Sequence, residues 1–181
     1  DCGNNQLIGP TETIPLTISL WVKLNSLDDI IVSKYDNSNP NNSNFYIGTT
    51  DGGSFSVAGD GTSGFLFGTV QLNEWQYMSV VFENSTITNA YVNGNLENSG
   101  QINLSSNVSS MPLLIGRMAG NSYSVDGLID EVSLFDYALS QEEIQNQSSR
   151  ALSGFESGLI AHYNFNEANG DTLFNVSDNG N

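Results

Sequence analysis

Short stretches of alternating apolar and polar residues recur along this chain, with turn residues between them. The clearest stretch spans 16–24, where every second residue from Leu16 onward is apolar and the others are Thr17, Ser19, Trp21 and Lys23. A period of two residues is typical of a β-strand that is buried on one face. Similar stretches lie at 30–33, 45–48, 54–58, 65–72, 73–82, 87–92, 113–116, 128–134 and 159–165. Short strands at this spacing predict an all-β fold, a sandwich of two antiparallel sheets.

One helix interrupts this series of strands. Ser140 and Glu143 have the spacing of a capping box, in which each side chain binds the backbone N–H of the other residue. Leu139 and Ile144 have the spacing of a hydrophobic staple, which fixes the direction in which the chain enters a helix. We therefore expect one short helix that begins at Ser140 and ends near 149–150.

The strand before this helix carries the first candidate for chemistry. From Leu128 to Leu134 the residues alternate, which places Asp130 on the same apolar face as Val132. A carboxylate on a core face must be neutralised, bound to a cation or hydrogen-bonded by backbone N–H groups, because an unpaired buried charge is too costly. We expect Asp130 to point inward and to have such a partner.

The charge of the chain excludes some classes of partner. Twenty Asp and Glu residues against four Lys and Arg residues give a formal net charge of −16, which repels phosphate backbones and anionic lipid. We expect no nucleic acid partner and no membrane insertion, since no apolar run approaches the roughly 20 residues of a membrane span. Charged residues make up only 13% of the chain, and a neutral polar surface suits a secreted or cell-surface protein.

The length and the cysteine count bear on domain organisation and stability. At 181 residues the chain suits one domain with a single core. Cys2 is the only cysteine, so no disulfide can form within the chain. Stability is therefore expected from packing, with bound metal ions as a second source.

Four segments together resemble the LamG-like jelly-roll family, part of the laminin G and concanavalin A-like group of sandwiches. They are 16–23, 75–82 followed by 90–94, 113–117, and 127–132 with 138–144. The last segment is the most specific, because it joins a glycine, a strand acid and a capping box at fixed distances. The resemblance implies a two-sheet antiparallel jelly-roll sandwich with one short helix.

The order of the segments departs from the family pattern. Residues 159–181 are similar to the segment that normally opens such a domain, yet here they come last, while the turn at Asp1 resembles the one that follows the opening segment. We expect a jelly-roll sandwich over 1–157. Residues 158–181 either close the same sandwich or open a following repeat, and the chain is expected to be cut from a longer polypeptide.

The chemistry of the resembling group includes glucanases whose catalytic carboxylates lie on one strand as Glu-X-Asp-X-X-Glu. Glu131 is the only candidate for the first acid, and the next positions on its face hold Ser133 and Phe135. Glycoside hydrolysis usually needs two carboxyl groups. Nucleophilic catalysis by a Ser-His-Asp or Cys-His arrangement is not expected either. His162 is expected on the surface, and Cys2 is the one cysteine. We predict no enzyme activity, with a divergent glycosidase as the least favoured alternative.

Calcium is the one metal that the sequence suggests. It binds about six to eight oxygens from carboxylates, carbonyls and waters, which the loops of this chain supply. Asp130 is the first candidate ligand, and the resemblance implies a structural ion near the turn that contains Asp1. The alternative is that backbone N–H groups satisfy Asp130, and the sequence does not separate the two.

Four aromatic residues are candidates for ligand binding, because rings on the solvent side of a sheet or at loop tips can stack on sugars. They are Trp21, Tyr35, Tyr46 and Tyr123. Trp21 lies on a polar strand face, so it either faces a ligand or is covered by a loop. We favour the loop, because a large aromatic side chain is seldom left bare. For the tyrosines the alternative is ordinary packing or plain surface.

Two functional hypotheses follow. The first is a non-catalytic, lectin-like module that binds a polysaccharide or another glycan and belongs to a larger secreted or surface protein. The second is a structural or protein-binding adhesion repeat, in which a sheet face contacts another protein or neighbouring repeats of the same protein. The repeat-like order of the last segment favours the second.

Overall fold

The computed structural model describes residues 15–35, 44–59, 63–84, 86–104, 111–121, 123–167 and 172–178. The strands are β1 (Leu16–Leu24), β2 (Ile30–Lys34), β3 (Phe45–Thr49), β4 (Phe55–Ala58), β5 (Gly64–Phe67), β6 (Gln76–Phe82), β7 (Thr88–Val92), β8 (Asn95–Gly100), β9 (Leu114–Ile115), β10 (Gly127–Phe135) and β11 (Leu159–Tyr163), and the α-helix is α1 (Gln141–Gln147). Within these described ranges, no helix combines the length and the apolar character that crossing a bilayer requires.

The strands form two antiparallel sheets. One sheet has six strands in the order β11-β10-β1-β6-β7-β8, and the other has five in the order β5-β4-β3-β2-β9. β1 lies between β10 and β6, so the most regularly alternating strand of the sequence occupies the interior of its sheet. The all-β prediction, with two antiparallel sheets and one short helix, is confirmed.

The main core lies between the two sheets. Phe45 and Phe55 of the five-stranded sheet and Phe82 of the six-stranded sheet are fully buried in it. The rings of Phe45 and Phe82 have centroids 5.3 Å apart and connect the two sheets across the core. Burial of apolar surface at roughly 25 cal/mol per Å² is the main force that holds such layers together.

The start of α1 is the one the sequence predicts. Ser140 Oγ accepts a hydrogen bond from the backbone N–H of Glu143, and Glu143 Oε2 accepts one from the backbone N–H of Ser140 at 2.7 Å. The helix ends at Gln147, earlier than the predicted end near 149–150. The N–H groups of residues 149 and 150 bond to carbonyls three residues back, which tightens the last turn and ends the α-helix.

A second apolar cluster lies beneath α1, on the outer face of the six-stranded sheet. Leu139 and Ile144, the two residues of the predicted staple, are buried against Phe135 of β10. Tyr77 and Val81 of β6 belong to the same cluster. One end of this sheet face is therefore covered by the helix.

A β-bulge in β10 changes which of its residues face the core. Ser19 of β1 pairs with Ser133, whereas Trp21 pairs with Asp130. Between these two pairs β1 advances by two residues and β10 by three, so β10 contains one extra residue. Glu131 lies within this irregularity and has a φ of 52°. An extra residue in one strand reverses the alternation on one side of the bulge.

The bulge makes the predicted inward placement of Asp130 wrong. Val132 and Leu134 are fully buried, but Leu128, which the alternation put on the same face, is 57% exposed. Ile129 packs against the core instead. Asp130 is half-buried and lies on the outer face with its partner Trp21.

The end of the described chain lies along β11. This strand pairs with β10, where His162 is opposite Ser133. The backbone N–H of Val176 donates to the carbonyl oxygen of His162 at 2.8 Å, and the N–H of His162 donates to Asn175 Oδ1 at 2.9 Å. His162 is only 2% exposed, so its predicted surface position is wrong.

β11 is an outer strand of the six-stranded sheet. The predicted boundary between 1–157 and 158–181, and the two alternatives for the second segment, stay predictions. They concern the parent polypeptide, which the pairing of β11 with β10 does not test.

Candidate functional site

Three of the four predicted aromatic residues meet on the outer face of the five-stranded sheet. Tyr35 follows β2, Tyr46 lies on β3, and Tyr123 lies in the segment before β10. Together with Ser56 of β4 and Leu66 of β5 they line a pocket of about 450 Å³, which we call the tyrosine pocket. The structure thus brings together residues that are up to 88 positions apart in the sequence, from Tyr35 to Tyr123.

The floor of the tyrosine pocket is a packed aromatic pair. The rings of Tyr35 and Tyr46 have centroids 5.3 Å apart and are inclined at 81°, an edge-to-face contact. Both pack against Ile30 and Met118 in a small apolar cluster. Burial, with smaller contributions from Tyr35 and Tyr123, raises the pKa of Tyr46. Its hydroxyl therefore keeps its hydrogen and can both donate and accept a hydrogen bond.

The walls of the pocket are open to solvent. Tyr123 is 48% exposed and Leu66 is 52% exposed. The carbonyl oxygen of Tyr123 accepts a hydrogen bond from the backbone N–H of Ile30 at 2.9 Å, which fixes the segment before β10 against β2. The Tyr123 ring is consequently held at the rim rather than carried on a free loop.

Polar groups surround the aromatic floor. Asp28 is exposed and supplies carboxylate oxygens, while Thr50 and Ser56 supply hydroxyl groups. Hydroxyls can donate and accept, whereas a carboxylate only accepts. This combination of flat rings and mixed hydrogen-bonding groups is complementary to a polyhydroxylated ligand.

Gly48 allows Asp28 to lie at this rim. A Cβ atom at position 48 would be 2.5 Å from the carbonyl oxygen of Asp29 and 2.8 Å from Ile30 Cδ1. Only a residue without a side chain permits the segment that leads into β2 to approach β3 this closely.

The fourth predicted aromatic residue, Trp21, lies on the other sheet. Its ring is half-buried, with its centroid 5.3 Å from that of Tyr77 at an angle of 55°. With Trp75, Asp130, Glu131 and residues 148–151 it lines a groove of about 500 Å³, which we call the tryptophan groove. The segment after α1 forms a wall of this groove beside Trp21, so the ring faces both a loop and an open space.

A hydrogen-bonded pair, Glu131 and His162, adjoins the tryptophan groove. Glu131 Oε2 lies 2.7 Å from His162 Nε2, and the two side chains are 25% and 2% exposed. Because a carboxylate oxygen can only accept, Nε2 is the donor. His162 Nδ1 is buried and has no hydrogen-bond partner among the described residues. No local sequence signal marks this pair, because the bulge orients Glu131 and β11 brings His162 beside it.

The predicted calcium ligands are not brought together by the described structure. Asp130 Oδ1 accepts a hydrogen bond from the backbone N–H of Glu131 at 2.9 Å, as the backbone alternative anticipated. In the part of the chain that the structure describes, no three His, Cys, Asp or Glu side chains form a cluster that could hold a metal ion. Asp1 lies outside the described residues. The calcium site stays a prediction. Its first candidate ligand, Asp130, lies on the outer face of the sheet and not in the core.

Comparison with solved structures supports the fold. A protein from Bacteroides ovatus described as a candidate carbohydrate binding protein is 16% identical, with a TM-score of 0.69 over 91% of this chain and 49% of its own. Domain 4 of AbnA, a GH43 extracellular arabinanase from Geobacillus stearothermophilus, solved with arabinotriose, is 16% identical, with a TM-score of 0.61 over 78% of this chain and 69% of its own.

A third solved structure is the CBM40 of an IT-sialidase from Ruminococcus gnavus, bound to α2,3 sialyllactose. It is 15% identical, with a TM-score of 0.58 over 75% of this chain and 83% of its own. At these identities the likeness concerns the fold alone, and the present chain spans about half the length of the Bacteroides protein.

Sequence comparison identifies the family. No protein of curated function matches the sequence significantly. A family model for laminin G domains, described as the concanavalin A-like lectin/glucanases superfamily, matches residues 4–145, which is more than half of the chain. The resemblance found in the sequence is thereby confirmed, and the chain belongs to the laminin G branch of the concanavalin A-like lectin/glucanases superfamily.

Proposed function

We propose that this chain is a non-catalytic, lectin-like module whose glycan site is the tyrosine pocket. The observation that carries the proposal is the convergence of Tyr35, Tyr46 and Tyr123 on one open sheet face. The carbohydrate complexes known for two proteins of the same fold, the arabinanase domain and the CBM40, support the same class of ligand.

Binding in the tyrosine pocket would combine stacking with hydrogen bonds to sugar hydroxyls. The exposed ring of Tyr123 offers a face to the C–H side of a sugar, and the Tyr46 hydroxyl lies deeper. Asp28 and Ser56 can bind the hydroxyls at the sugar edge. A pocket of about 450 Å³ that is open on one side suits a few residues of a longer glycan rather than an enclosed small molecule.

The non-catalytic part of the proposal follows from the carboxylates. Asp28 is the one acidic residue among the described residues that line the tyrosine pocket, and hydrolysis by the usual mechanism needs two. Glu131, the strand acid that first suggested a glucanase, lies on the other sheet, where its carboxylate is bound to His162.

We further propose that the module acts outside the cell, within a larger secreted or cell-surface protein. The low content of charged residues, 13%, and the surplus of Asn, Ser, Thr and Gly support this. Its net charge of −16 directs it away from anionic lipid and nucleic acid and toward neutral or cationic partners.

An array of neutral polysaccharides, read with and without EDTA, tests this function. Wild-type protein is expected to bind at least one neutral polysaccharide, and Tyr123→Ala to bind it at least about tenfold more weakly, a loss of about 1.4 kcal/mol. Tyr123 is exposed, so its loss does not disturb the core. Loss of polysaccharide binding in the presence of EDTA, and its return when calcium is added, would additionally support the predicted calcium ion.

The matched control is Phe155→Ala, which removes an aromatic ring that is 76% exposed and does not line the tyrosine pocket. It is expected to bind the same polysaccharide as wild type does. A chain that binds no polysaccharide, or a Tyr123→Ala variant that binds as tightly as wild type, would overturn the proposal.

One observation favours the adhesion repeat as a second candidate function. Phe155 and Phe174 are 76% and 60% exposed, and Val176 is 41% exposed. The N–H of Asp178 donates to the carbonyl oxygen of Gly154, which brings the two exposed segments side by side. Exposed apolar surface of this kind is typical of protein contacts.

Sedimentation velocity tests this second candidate. Concentration-dependent self-association that Phe155→Asp abolishes would support a contact between repeats. A monomer at all concentrations would count against it and leave the glycan module as the function.

A further inference from the structure

The tryptophan groove lies on the opposite sheet from the tyrosine pocket and plays no part in the function proposed above. Its residues come from β1, from the position just before β6, from the bulge in β10 and from the segment after α1. The groove has a volume of about 500 Å³, comparable to that of the tyrosine pocket. Its chemistry, however, is different.

Two indole rings form its aromatic walls. Trp21 is supported on one side by Tyr77, which lies directly opposite it on β6. Trp75 precedes Tyr77 by two residues, so it lies on the same face and diagonal to Trp21. Trp75 is 42% exposed. The face of an indole ring is the aromatic surface that attracts a cation most strongly.

The hydrogen-bonding groups of the groove are mainly acceptors. Asp130 and Glu131 contribute carboxylates. The hydroxyls of Ser148 and Ser149 donate their hydrogens to the carbonyl oxygens of Gln145 and Asn146 at 2.9 Å each, so their oxygens can offer lone pairs to a ligand. A primary ammonium group has three N–H donors and no acceptor, which is the complement of this set.

Among the described residues that line the groove there is one cation, Arg150, and its charge is already compensated. Its guanidinium donates to Glu156 Oε1 at 3.0 Å. Desolvation opposes ionisation of Glu156, but hydrogen bonds from the backbone of Ser153 and from Arg150 outweigh it and lower the pKa of Glu156 to about 2. The pair therefore stays ionised at neutral pH, and the carboxylate of Asp130 supplies the negative charge that faces a ligand in the groove.

We propose that the tryptophan groove binds a primary ammonium group and that its ligand is an amino sugar with a free amine, as part of a cationic glycan. The amine contacts Asp130 at the base of Trp21, and the C–H face of the sugar ring lies on Trp75. We favour a sugar because its ring can fill the space between the two indoles, whereas a simple alkyl amine would leave that space empty. The net charge of −16 concentrates such a ligand near the surface.

The two tryptophans of the chain both line this groove, which makes intrinsic tryptophan fluorescence a reporter of the site. Titration with a tetramer of glucosamine is expected to change the emission in a saturable way. The tetramer of N-acetylglucosamine, which has the same backbone without the charge, is expected to cause no change at the same concentrations. The response to the amine is expected to weaken as salt is raised.

Two variants locate the interaction. Asp130→Asn removes the proposed partner of the amine and is expected to weaken binding of the glucosamine tetramer at least tenfold. Glu97→Gln removes one negative charge from an exposed residue of β8, at the far edge of the same sheet, and is expected to change it less than twofold. Trp75→Ala, an exposed position, is expected to weaken binding while leaving the unfolding transition unchanged.

Three results would overturn the proposal. The first is equal binding of the N-acetylated tetramer, which would indicate a neutral sugar site. The second is an equal response to tetralysine that Glu97→Gln weakens as much as Asp130→Asn, which would indicate unspecific charge attraction. The third is no fluorescence response to glucosamine oligomers at low salt. None of these bears on glycan binding in the tyrosine pocket, which Tyr123→Ala reports separately.

Discussion

The tyrosine pocket and the tryptophan groove lie on opposite sheets of one sandwich, and different causes shape them. The tyrosine pocket lies on an open sheet face, and its residues gather there beside a register shift between Ile30 and Val32 of β2, where Gly48 of β3 lets the two strands approach closely. The tryptophan groove exists because α1 covers only part of its sheet and because a bulge turns Asp130 outward. Both sheets are irregular beside their sites, and the sites differ in charge. Among the described lining residues, the tryptophan groove has two carboxylates, Asp130 and Glu131, whereas the tyrosine pocket has one, Asp28.

The first prediction tests whether one sheet face is covered and the other open. Ile144→Ala, at a fully buried position beneath α1, is expected to lower the free energy of unfolding by about 2–5 kcal/mol. Leu66→Ala, on the open face of the five-stranded sheet, is 52% exposed and is expected to change it by less than about 0.5 kcal/mol.

Urea unfolding of both variants measures the difference, with Ile144→Val as the matched control, which is expected to lose about 1 kcal/mol. Similar values for Ile144→Ala and Leu66→Ala would mean that α1 does not anchor the sheet, and the contrast between the two faces would disappear.

The second prediction concerns the bulge. Glu131→Ala keeps the positive φ but leaves the buried His162 ring without its partner, which is expected to cost about 1–3 kcal/mol of unfolding free energy. Adding His162→Phe removes the unpaired group and is expected to restore most of the loss, since replacing both partners by apolar groups can be nearly neutral.

A double-mutant cycle in urea measures this coupling, and Glu131→Gln, whose amide oxygen can still accept from Nε2, is the control. If Glu131→Ala and the double variant were equally unstable, the loss would not come from the unpaired His162 ring.

The third prediction has the smallest effect and concerns pH. The pKa of Glu156 is lowered to about 2 from a usual value of 4.5. Its contribution to stability is therefore complete above pH 4.5 and is lost as the pH falls toward 2. Glu156→Gln is expected to reduce the unfolding free energy by only about 1 kcal/mol at pH 6, because Arg150 is half exposed and the pair is screened by solvent. The reduction is expected to be smaller at pH 3, because part of the contribution of the Glu156 carboxylate is already lost there.

Unfolding at the two pH values checks this, with Glu97→Gln as a control that should show no such pH dependence.

The same Glu156→Gln protein should bind the glucosamine tetramer more weakly, because Arg150 then presents an uncompensated positive charge to the tryptophan groove. Tighter binding would contradict the charge argument for that groove.

Local patterns predicted the elements of this fold reliably. The alternation over 16–24 indicated the interior strand β1, and the capping box at Ser140 indicated the start of α1. Both depend on residues within one or two turns of the chain, so their physical cause lies in the sequence itself. The family segments fixed the jelly-roll class for the same reason, since they join such local patterns at set distances.

The candidate sites were predicted less completely. The sequence indicates Tyr35, Tyr46 and Tyr123 as separate aromatic candidates, and their convergence depends on the order of strands in the five-stranded sheet. Asp130 was placed on the wrong face, and His162 was placed on the surface. Both errors come from long-range structure, namely the bulge in β10 and the cover of β11 by residues 172–178.

The strand segments, the start of the helix and the acidic, sparsely charged character of the molecule can all be read from the residues in order. The direction in which Asp130 and Glu131 point, and the grouping of the aromatic rings into sites, depend on how the strands pair. Alternation assigns residues to faces only while the register is unbroken. One extra residue at Glu131, where φ is positive, reverses them, and the side chain of Glu131 is bound by a partner 31 residues away.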